Sequence, residues 1–434
     1  MQSNQAFDPP RRAADLLSFP QESLRPRRGS SIDGRPSQPS ARPTVLVYRN
    51  GLLPISETFI KEQVGAYHNW RGVLIGRRST EGLDLGDLDV RLLRASRWPI
   101  VDRLWWRAMR LTERAPNPIA SRLRAEAPSL LHAHFGLDGV EAWPLARALD
   151  LPMVVTLHGY DINITREFWE GGGWGRRFRD YPRRLLALAA APRVRFVAVS
   201  QAIRRRAIDF GVPAGKIDVR HIGVDLRRFA PTGRPVAQRP RNVLFVGRLV
   251  EKKGCAHLVR AMAAVKLRAP AARLTIIGDG DQRAALQRLA ANLGVRATFL
   301  GAQPAATVAR ELEQARVLCL PSVAAANGDA EGFGQVLLEA QACGVPVVTS
   351  ARGGAEEGIC DGVTGFAFAE GDEFTLADRL TRILVDDDLA TTMSCEATRF
   401  VSRHFDLSRC TAALEMLYYD IINTDWSRSR RFAG

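Results

Sequence analysis

The sequence contains little lysine. Of its 61 basic residues only five are lysines, so arginine carries nearly all of the positive charge in a chain whose formal net charge is +15. The arginines cluster at 103–114, 176–184, 204–206 and 227–228, chiefly in the first half. An arginine-rich genome would produce this composition by itself. A fixed positive field on the first half would also attract an anionic surface.

Long apolar runs and paired cysteines are also missing. No stretch approaches the roughly 20 apolar residues that span a bilayer, and the N-terminus has no apolar secretory core. The six cysteines form no Cys-x-x-Cys pair and no metal-type cluster, which is typical of reduced thiols. We therefore expect a cytoplasmic protein, with the inner face of the cell membrane as a second place of action.

Length and composition predict two domains. The 434 residues exceed the usual size of one domain. Residues 1–42 are rich in Pro, Ser, Gln and Arg and predict a disordered tail. Residues 43–230 and 241–405 each predict a Rossmann-like domain, joined by a proline-bounded linker at 231–240. Residues 406–434 predict a C-terminal helix that crosses back to the first domain.

Short apolar runs alternate with helical patterns in both halves. This alternation predicts an α/β protein with two doubly wound domains, whose strands end at a cleft between them. The predicted strands lie at 44–48, 72–76, 130–134, 153–157, 195–199, 242–247, 273–277, 297–300, 317–320 and 346–349.

The segment 331–339 reads Glu-Gly-Phe-Gly-Gln-Val-Leu-Leu-Glu and predicts a helix that follows a glycine-rich loop. Glu331 and Glu339 are separated by a little over two helical turns, at about 3.6 residues per turn, and so share a side. Unpaired N–H groups at such a helix start attract an anion. We expect those N–H groups on Gly332, Phe333, Gly334 and Gln335. Taken alone, the pattern is also typical of a capped helix with solvated acids.

The surrounding motifs resemble one family. In order along the chain they are His158-Gly159, Gly223-Val224-Asp225, Gly247-Arg248 with Lys252-Lys253-Gly254, Glu331 to Glu339, and Gly353-Gly354. The set resembles the group 1 glycosyltransferases, which are retaining enzymes with the GT-B fold and a Glu-x7-Glu motif. The Pro-x-x-Ser-Glu-Thr-Phe sequence at 54–59 is similar to that of members that build exopolysaccharide or colanic acid.

The resemblance implies an activity and its partners. A sugar would pass from a nucleotide-diphosphate donor, with retention of configuration, to a hydroxyl of a glycan or lipid-linked acceptor. The first domain would hold the acceptor and the second the nucleotide sugar. The family needs no bound metal ion or other cofactor, so we expect neither.

The resemblance also implies roles for single residues. Arg248 and Lys253 would bind the donor diphosphate together with the helix start at 332–335. Glu339 would hold the ribose. His158 and Glu331 would be catalytic, with His158 beside the donor sugar and Glu331 on its hydroxyls. Lys252 is expected to be an ordinary solvated loop charge.

The first domain offers further candidates. Gly51 and the helix start at Ser56 could face the phosphate, and Glu57 could bind an acceptor hydroxyl, although a simple capping turn explains this loop equally well. We expect His132 and His134 to point to opposite faces of their strand. At most one of them would then reach the cleft, and we give His134 a supporting role on the acceptor side.

The segment 101–114 predicts a basic amphipathic helix. Four arginines recur at helical spacing beside a stripe formed by Leu104, Trp105, Ala108 and Leu111. Such a helix is typical of a membrane interface, and it is equally typical of a surface helix whose stripe enters the core. We hypothesise that it meets anionic lipid near a lipid-linked acceptor, with help from 169–184.

Two alternatives remain at this point. An epimerase or phosphorylase would share the fold, but a phosphorylase of the cofactor-dependent kind needs a pyridoxal-anchoring lysine, and lysines are few. The charge also suggests a nucleic-acid-binding protein. No basic stripe interleaved with aromatic residues in a binding module is apparent, so we expect no nucleic-acid partner.

Overall fold

A computed structural model of the protein describes residues 42–79, 82–350 and 352–424. The tail expected at 1–42 lies outside these residues except for Arg42, and so does the end of the chain from 425 onward. The compact unit that begins at Pro43 contains two parallel sheets.

The first sheet is assembled from the first half of the chain. Its order is β5-β3-β1-β6-β7-β8-β9, and all of its pairs are parallel. Two further short strands, β2 and β4, pair with each other. The strands are β1 (Thr44–Tyr48), β2 (Gly51–Leu52), β3 (Arg71–Gly76), β4 (Arg78–Ser79), β5 (Asp89–Leu92), β6 (Pro128–His134), β7 (Met153–Leu157), β8 (Val194–Ala198) and β9 (Ile217–Val219).

The second sheet has the order β12-β11-β10-β13-β14-β15 and is also parallel. The expected α/β architecture of two Rossmann-like domains is confirmed. Its strands are β10 (Asn242–Val246), β11 (Arg273–Ile277), β12 (Ala297–Gly301), β13 (Val317–Leu320), β14 (Val347–Ser350) and β15 (Gly365–Phe368).

Helices cover both sheets. They are α1 (Thr58–Gly65), α2 (Pro99–Thr112), α3 (Asn117–Arg124), α4 (Gly136–Ala148), α5 (Tyr160–Asn163), α6 (Arg166–Gly171), α7 (Tyr181–Ala190), α8 (Gln201–Phe210), α9 (Cys255–Arg268), α10 (Arg283–Asn292), α11 (Ala305–Gln314), α12 (Gln335–Ala342), α13 (Glu373–Val385), α14 (Asp387–His404) and α15 (Leu407–Asn423).

Continuous apolar runs form the central strands. Every residue of β1, β7, β13 and β14 is buried, as expected for strands with a helix layer on each face. The edge strands β5 and β9 were not predicted. The sequence of β5 is Asp-Val-Arg-Leu, which is half-exposed and carries two charges, so it leaves no apolar run to detect.

The helix expected to start at Ser56 begins instead at Thr58. A short 3₁₀ turn over Ile55–Glu57 precedes α1, and Glu57 occupies the N-cap position without a side-chain capping bond. Its carboxylate is instead paired with Arg49. An ion pair therefore replaces the cap.

The last helix returns to the first domain. Leu407 donates its N–H to the Val224 carbonyl (3.1 Å), and α15 then packs against α1 and β6. The buried carboxylate of Glu415 accepts from the backbone N–H groups of 68–70 at 2.9 to 3.0 Å. A carboxylate is therefore the anchor of this helix.

No helix in the described part of the chain is long and apolar enough to span a membrane. The six cysteines, all of which lie in this part, are free thiols.

We predict that Glu415→Ala destabilises the protein by roughly 2–4 kcal/mol, because three backbone N–H donors, of which that of Trp70 is buried, lose their charged acceptor. Chemical denaturation followed by circular dichroism would measure the loss. Asp420→Ala on the exposed side of the same helix is the matched control, with little change expected. Equal stability of the two variants would contradict the anchoring role.

Candidate functional site

The two domains meet where their strands end. A Cβ on Gly332 would lie 1.9 Å from the His158 carbonyl oxygen, and one on Gly354 would lie 1.8 Å from the Gly332 carbonyl oxygen. The loop that opens the 331–339 segment is therefore held between β7 of the first domain and the turn after β14 of the second. Domain packing therefore requires glycine at both positions.

The helix start is polar and unpaired. Gly334 has φ = 80°, which favours glycine, and α12 begins at the next residue. Among the described residues, none accepts a hydrogen bond from the backbone N–H groups of 332–335. The loop is fixed through other atoms, since Ser200 Oγ donates to the Gly332 carbonyl at 2.8 Å. These N–H groups can therefore bind an anion.

Glu331 is held by a lysine from the turn after β10. Lys253 Nζ lies 2.5 Å from Glu331 Oε2, and Ser322 Oγ lies 3.3 Å from the same oxygen. Burial opposes ionisation, but the charges of Lys253 and Lys252 outweigh it and lower the pKa of Glu331 to about 2. Glu331 is therefore ionised throughout the physiological range.

The expectation for Lys252 is wrong. Its side chain is buried, and its Nζ lies 3.0 Å from the Asp329 carboxylate. A buried ammonium needs a partner of opposite charge, and the loop before Glu331 supplies it.

Arg248 stands apart from these pairs. It follows β10 and is exposed. Within the described residues, its guanidinium has no hydrogen-bond or ion-pair partner, so the cation is free to meet an anionic ligand.

Glu339 lies where α12 faces the first domain. Burial and the charge of Glu62 on α1 raise its pKa to about 8, against the opposing charge of Arg228. Arg228 itself forms an ion pair with Glu62. Glu62 was not singled out from the sequence, since its partners come from distant segments.

His158 is fixed by an acid and surrounded by rings. Asp161 accepts from the backbone N–H groups of Gly136 and Gly159, both at 2.8 Å, and so joins the ends of β6 and β7. The His158 ring lies 4.5 Å from Phe135 and 5.1 Å from Phe59. Burial, with a smaller effect of His132 and Arg49, holds the pKa of His158 well below its usual value. The imidazole is therefore neutral near pH 7.

The expected division between His132 and His134 is wrong. Residues two apart on a strand project to the same face, and the two rings are 4.4 Å apart. His134 Nδ1 hydrogen-bonds His158 Nε2 at 3.0 Å. His132 hydrogen-bonds Tyr418 of α15 at 2.6 Å and Thr156 at 2.7 Å. Both histidines thus support His158 from behind.

The Glu57 carboxylate forms an ion pair with an arginine. Both of its oxygens accept from Arg49, at 2.7 and 2.8 Å, and Arg49 also reaches Asp138 at 2.7 Å. Burial raises the pKa of Asp138 to about 6, against the charge of Arg49. Gly51 lies beside this cluster in β2, half-buried and paired with β4. The pairing of Arg49 with Asp138 could not be predicted from the sequence, because no sequence pattern links positions that are 89 residues apart.

The helix predicted at 101–114 is α2, and its stripe faces outward. Leu104, Trp105 and Leu111 are 59%, 44% and 76% exposed, whereas Trp106 and Met109 enter the core. The interpretation of the stripe as core is therefore wrong. Further exposed apolar side chains at the start of the helix are Trp98, Ile100 and Val101.

Comparisons with known proteins identify the family to which the chain belongs. Residues 75–228 match the profile of glycosyltransferase family 4, and residues 231–400 match that of the glycosyl transferases group 1. A D-inositol 3-phosphate glycosyltransferase of Frankia alni is 34% identical over 294 residues, which cover 61% of this chain and 69% of that protein. The chain belongs to the group 1 glycosyltransferases.

Other relatives of this glycosyltransferase are named for polysaccharides. The amylovoran biosynthesis glycosyltransferase AmsK of Erwinia amylovora is 32% identical over 62% of this chain. The chain spans 64% of that protein, less than two thirds of its length. The putative colanic acid biosynthesis glycosyltransferase WcaL of Escherichia coli is 35% identical, over 63% of this chain and 65% of that one.

Solved structures confirm the GT-B fold. Anabaena HepE, crystallised in complex with UDP, superposes with a TM-score of 0.69 at 21% identity, covering 87% of this chain and all of that one. At this identity the likeness concerns the fold alone.

We predict that Glu339→Gln stabilises the glycosyltransferase, relative to wild type, increasingly as the pH rises. The pKa of Glu339 is about 8 in the folded state, above its ordinary value of 4.5. Between these values the folded state holds more protons than the unfolded state, so its stability falls as the pH rises. The amide cannot ionise and avoids this loss.

Thermal unfolding of both proteins across the pH range would measure this difference. The exposed carboxylate of Glu356 provides the control Glu356→Gln, for which the difference should not change with pH. A constant difference for Glu339→Gln would contradict the raised pKa.

Proposed function

We propose that this enzyme transfers a sugar from a nucleotide-diphosphate donor, with retention of configuration, to a hydroxyl of a glycan or lipid-linked acceptor in the synthesis of a surface polysaccharide. The proposal is supported by an unpaired arginine and a lysine in the turn after β10, and by the unpaired helix start that follows the lysine's partner, Glu331. Each of these groups suits a diphosphate.

The donor would occupy the second-domain side of the cleft. Its diphosphate would meet Arg248, Lys253 and the N–H groups of 332–335. Glu339, deeper along α12, would hold the ribose hydroxyls. That UDP is present in the HepE crystal supports a nucleotide donor for a protein of this fold.

The sugar would lie between Glu331 and His158. Glu331 is ionised and would accept hydrogen bonds from sugar hydroxyls once the diphosphate draws Lys253 away. His158 is neutral and can donate or accept one hydrogen bond, as its bond to His134 directs. Both residues would orient the sugar for departure of the phosphate.

Leaving-group stabilisation would account for most of the catalysis. As the bond to the sugar breaks, negative charge grows on the phosphate, and the cations and helix start are already in place to stabilise it. The acceptor hydroxyl would attack from the face that the phosphate vacates and would pass its proton to the departing phosphate oxygen. This route retains the configuration without a carboxylate nucleophile, and it uses no metal ion or other cofactor.

A nucleotide panel tests the donor site. We expect one of UDP, GDP or ADP, or its hexose derivative, to raise the melting temperature of the wild type, and Arg248→Ala and Glu339→Ala each to weaken that binding about tenfold or more. Arg241→Ala is the matched control, because Arg241 is an exposed arginine at the other end of β10. Equal stabilisation of all four proteins would contradict the assigned site.

We further propose that the enzyme acts in the cytoplasm and at the inner face of the membrane, held there through α2. The exposed apolar residues of this helix alternate with the exposed Arg103 and Arg107, a combination that suits an anionic interface. Arg110 contributes less charge, since Asp180 pairs with it at 2.9 Å.

Vesicle flotation tests the membrane proposal. We expect the wild type to float with vesicles rich in phosphatidylglycerol at low salt and to be released by salt, since screening weakens exposed charges. Replacing Arg103 and Arg107 by Gln should abolish flotation. The control variant has Gln at Arg273 and Arg288, two exposed arginines of the second domain. It loses the same charge and should still float. The proposal would be contradicted if salt did not release the wild type from the vesicles. It would also be contradicted if the variant with Gln at Arg103 and Arg107 floated like the wild type.

A further inference from the structure

A row of aromatic rings leads from the cleft to the surface of the first domain. The His158 ring lies 4.5 Å from Phe135, Phe135 stacks on Tyr160 at 5.0 Å, and Tyr160 meets Trp174 edge-on at 5.1 Å. The first ring belongs to the proposed catalytic group, and the last is 43% exposed. The wall of the cleft is therefore continued outward by aromatic side chains.

Trp174 is held at the surface by its own loop. Its ring stacks at 4.8 Å on Trp169, which is completely buried, so the neighbour supports the ring from behind. Glycines flank it in the sequence Gly171-Gly172-Gly173-Trp174-Gly175. Gly172 and Gly175 have φ values of 83° and 105°, which favour glycine. The loop therefore exposes the Trp174 ring to solvent, and the buried Trp169 ring supports it.

Tyr160 adds a polar group to this wall. Within the described residues, its hydroxyl has no hydrogen-bond partner, although the ring is half-buried. The charges of Arg49 and Asp138 both act on the pKa of Tyr160, which burial raises, so the hydroxyl is within electrostatic reach of that cluster. Arg49 also packs on the face of Phe135 at 4.5 Å. Rings and hydrogen-bonding groups therefore occur side by side.

We propose that Tyr160 and Trp174 form a subsite for a sugar ring of the acceptor. One face of a pyranose consists of C–H groups that pack on the electron-rich face of an aromatic ring, while its edge carries hydroxyls that need hydrogen-bond partners. Trp174 supplies the first, and the Tyr160 hydroxyl supplies the second. The inference rests on the proposed function and extends it, because it assigns a site to a sugar beyond the reacting hydroxyl.

The position of the rings favours a sugar over the other ligands considered for this enzyme. The nucleotide would bind to the second domain, whereas all four rings belong to the first. A lipid chain would need no hydroxyl partner, and the exposed apolar face for lipid is on α2. The segment 169–184 was grouped with α2 as membrane-facing, but the contact of Trp174 with Tyr160 joins it to the cleft.

Saturation-transfer difference NMR tests the subsite with the full chain. The probes are the methyl glycosides of glucose, galactose and mannose, recorded with a saturating nucleotide from the panel so that the donor site is filled. We expect saturable transfer to at least one glycoside from the wild type. Trp174→Ala should weaken its binding about fivefold or more, and Trp174→Phe, which keeps a ring, should weaken it less.

Tyr160→Phe keeps the aromatic face and removes only the hydroxyl, so a weaker glycoside signal from this variant shows the polar contact even if Trp174→Ala folds poorly. Trp98→Ala, which removes an exposed tryptophan on α2, is the matched control and should bind the glycoside like the wild type. Nucleotide binding, followed by thermal shift, should be the same in all of these variants.

The outcomes separate the inference from the function on which it rests. No transfer to any glycoside, or equal transfer from the wild type and Trp174→Ala, would overturn the subsite while nucleotide binding still supports the donor site. Failure of every nucleotide to bind would contradict the proposed function instead. Loss of vesicle flotation in Trp174→Ala, with glycoside binding intact, would overturn the subsite and assign the ring to the membrane.

Discussion

The cleft depends on one backbone contact between the domains. Gly332 packs so closely on the His158 carbonyl that no Cβ fits, and Gly354 packs in turn on the Gly332 carbonyl. Three loops, two from the second domain and one from the first, are thereby stacked at a single point. Side chains cannot intervene, so the spacing between the donor groups and His158 is set by main-chain geometry, which side-chain motion does not alter.

Charge pairing completes this arrangement before any ligand arrives. Lys253 is neutralised by Glu331 and Lys252 by Asp329, so a half-buried and a buried ammonium group are tolerated beside an unpaired helix start. A diphosphate could compete for Lys253 and thereby free the Glu331 carboxylate for the sugar. Donor binding and the release of Glu331 would then be one event, and the carboxylate would become available only when a diphosphate occupies the site.

The sequence predicted those parts of the structure in which neighbouring residues act together. Apolar runs located the central strands, and the glycine-rich loop before 335 located the start of α12. The predictions failed where a residue's interaction partner is distant along the chain, or where the period of a strand was misapplied. Arg49 takes Glu57 away from its expected role, Glu62 affects Glu339 from another domain, and the faces of His132 and His134 follow from a period of two.

The stripe on α2 was ambiguous for a different physical reason. A helical pattern states which residues share a side, but it does not state which side meets the core. Trp106 and Met109 pack inward, and the more regular stripe is left outside. The same limit applies to Trp174, whose exposure depends on a glycine loop and on Trp169 behind it. Packing alone decides such cases.

The return of α15 constrains how the two domains can move. The segment near Val224 leaves the first domain, and the segment at 405–407 re-enters it; they run side by side, with Val224 N–H bonded to the Phe405 carbonyl at 2.8 Å. Because both crossings lie at one place, a rotation between the domains must bend both there. Glu415 and Tyr418 fix α15 to the first domain, and Tyr418 hydrogen-bonds His132, whose ring lies 4.4 Å from that of His134. The support of His158 therefore runs through His134 and His132 to α15, so a rotation about these crossings would leave that support undisturbed.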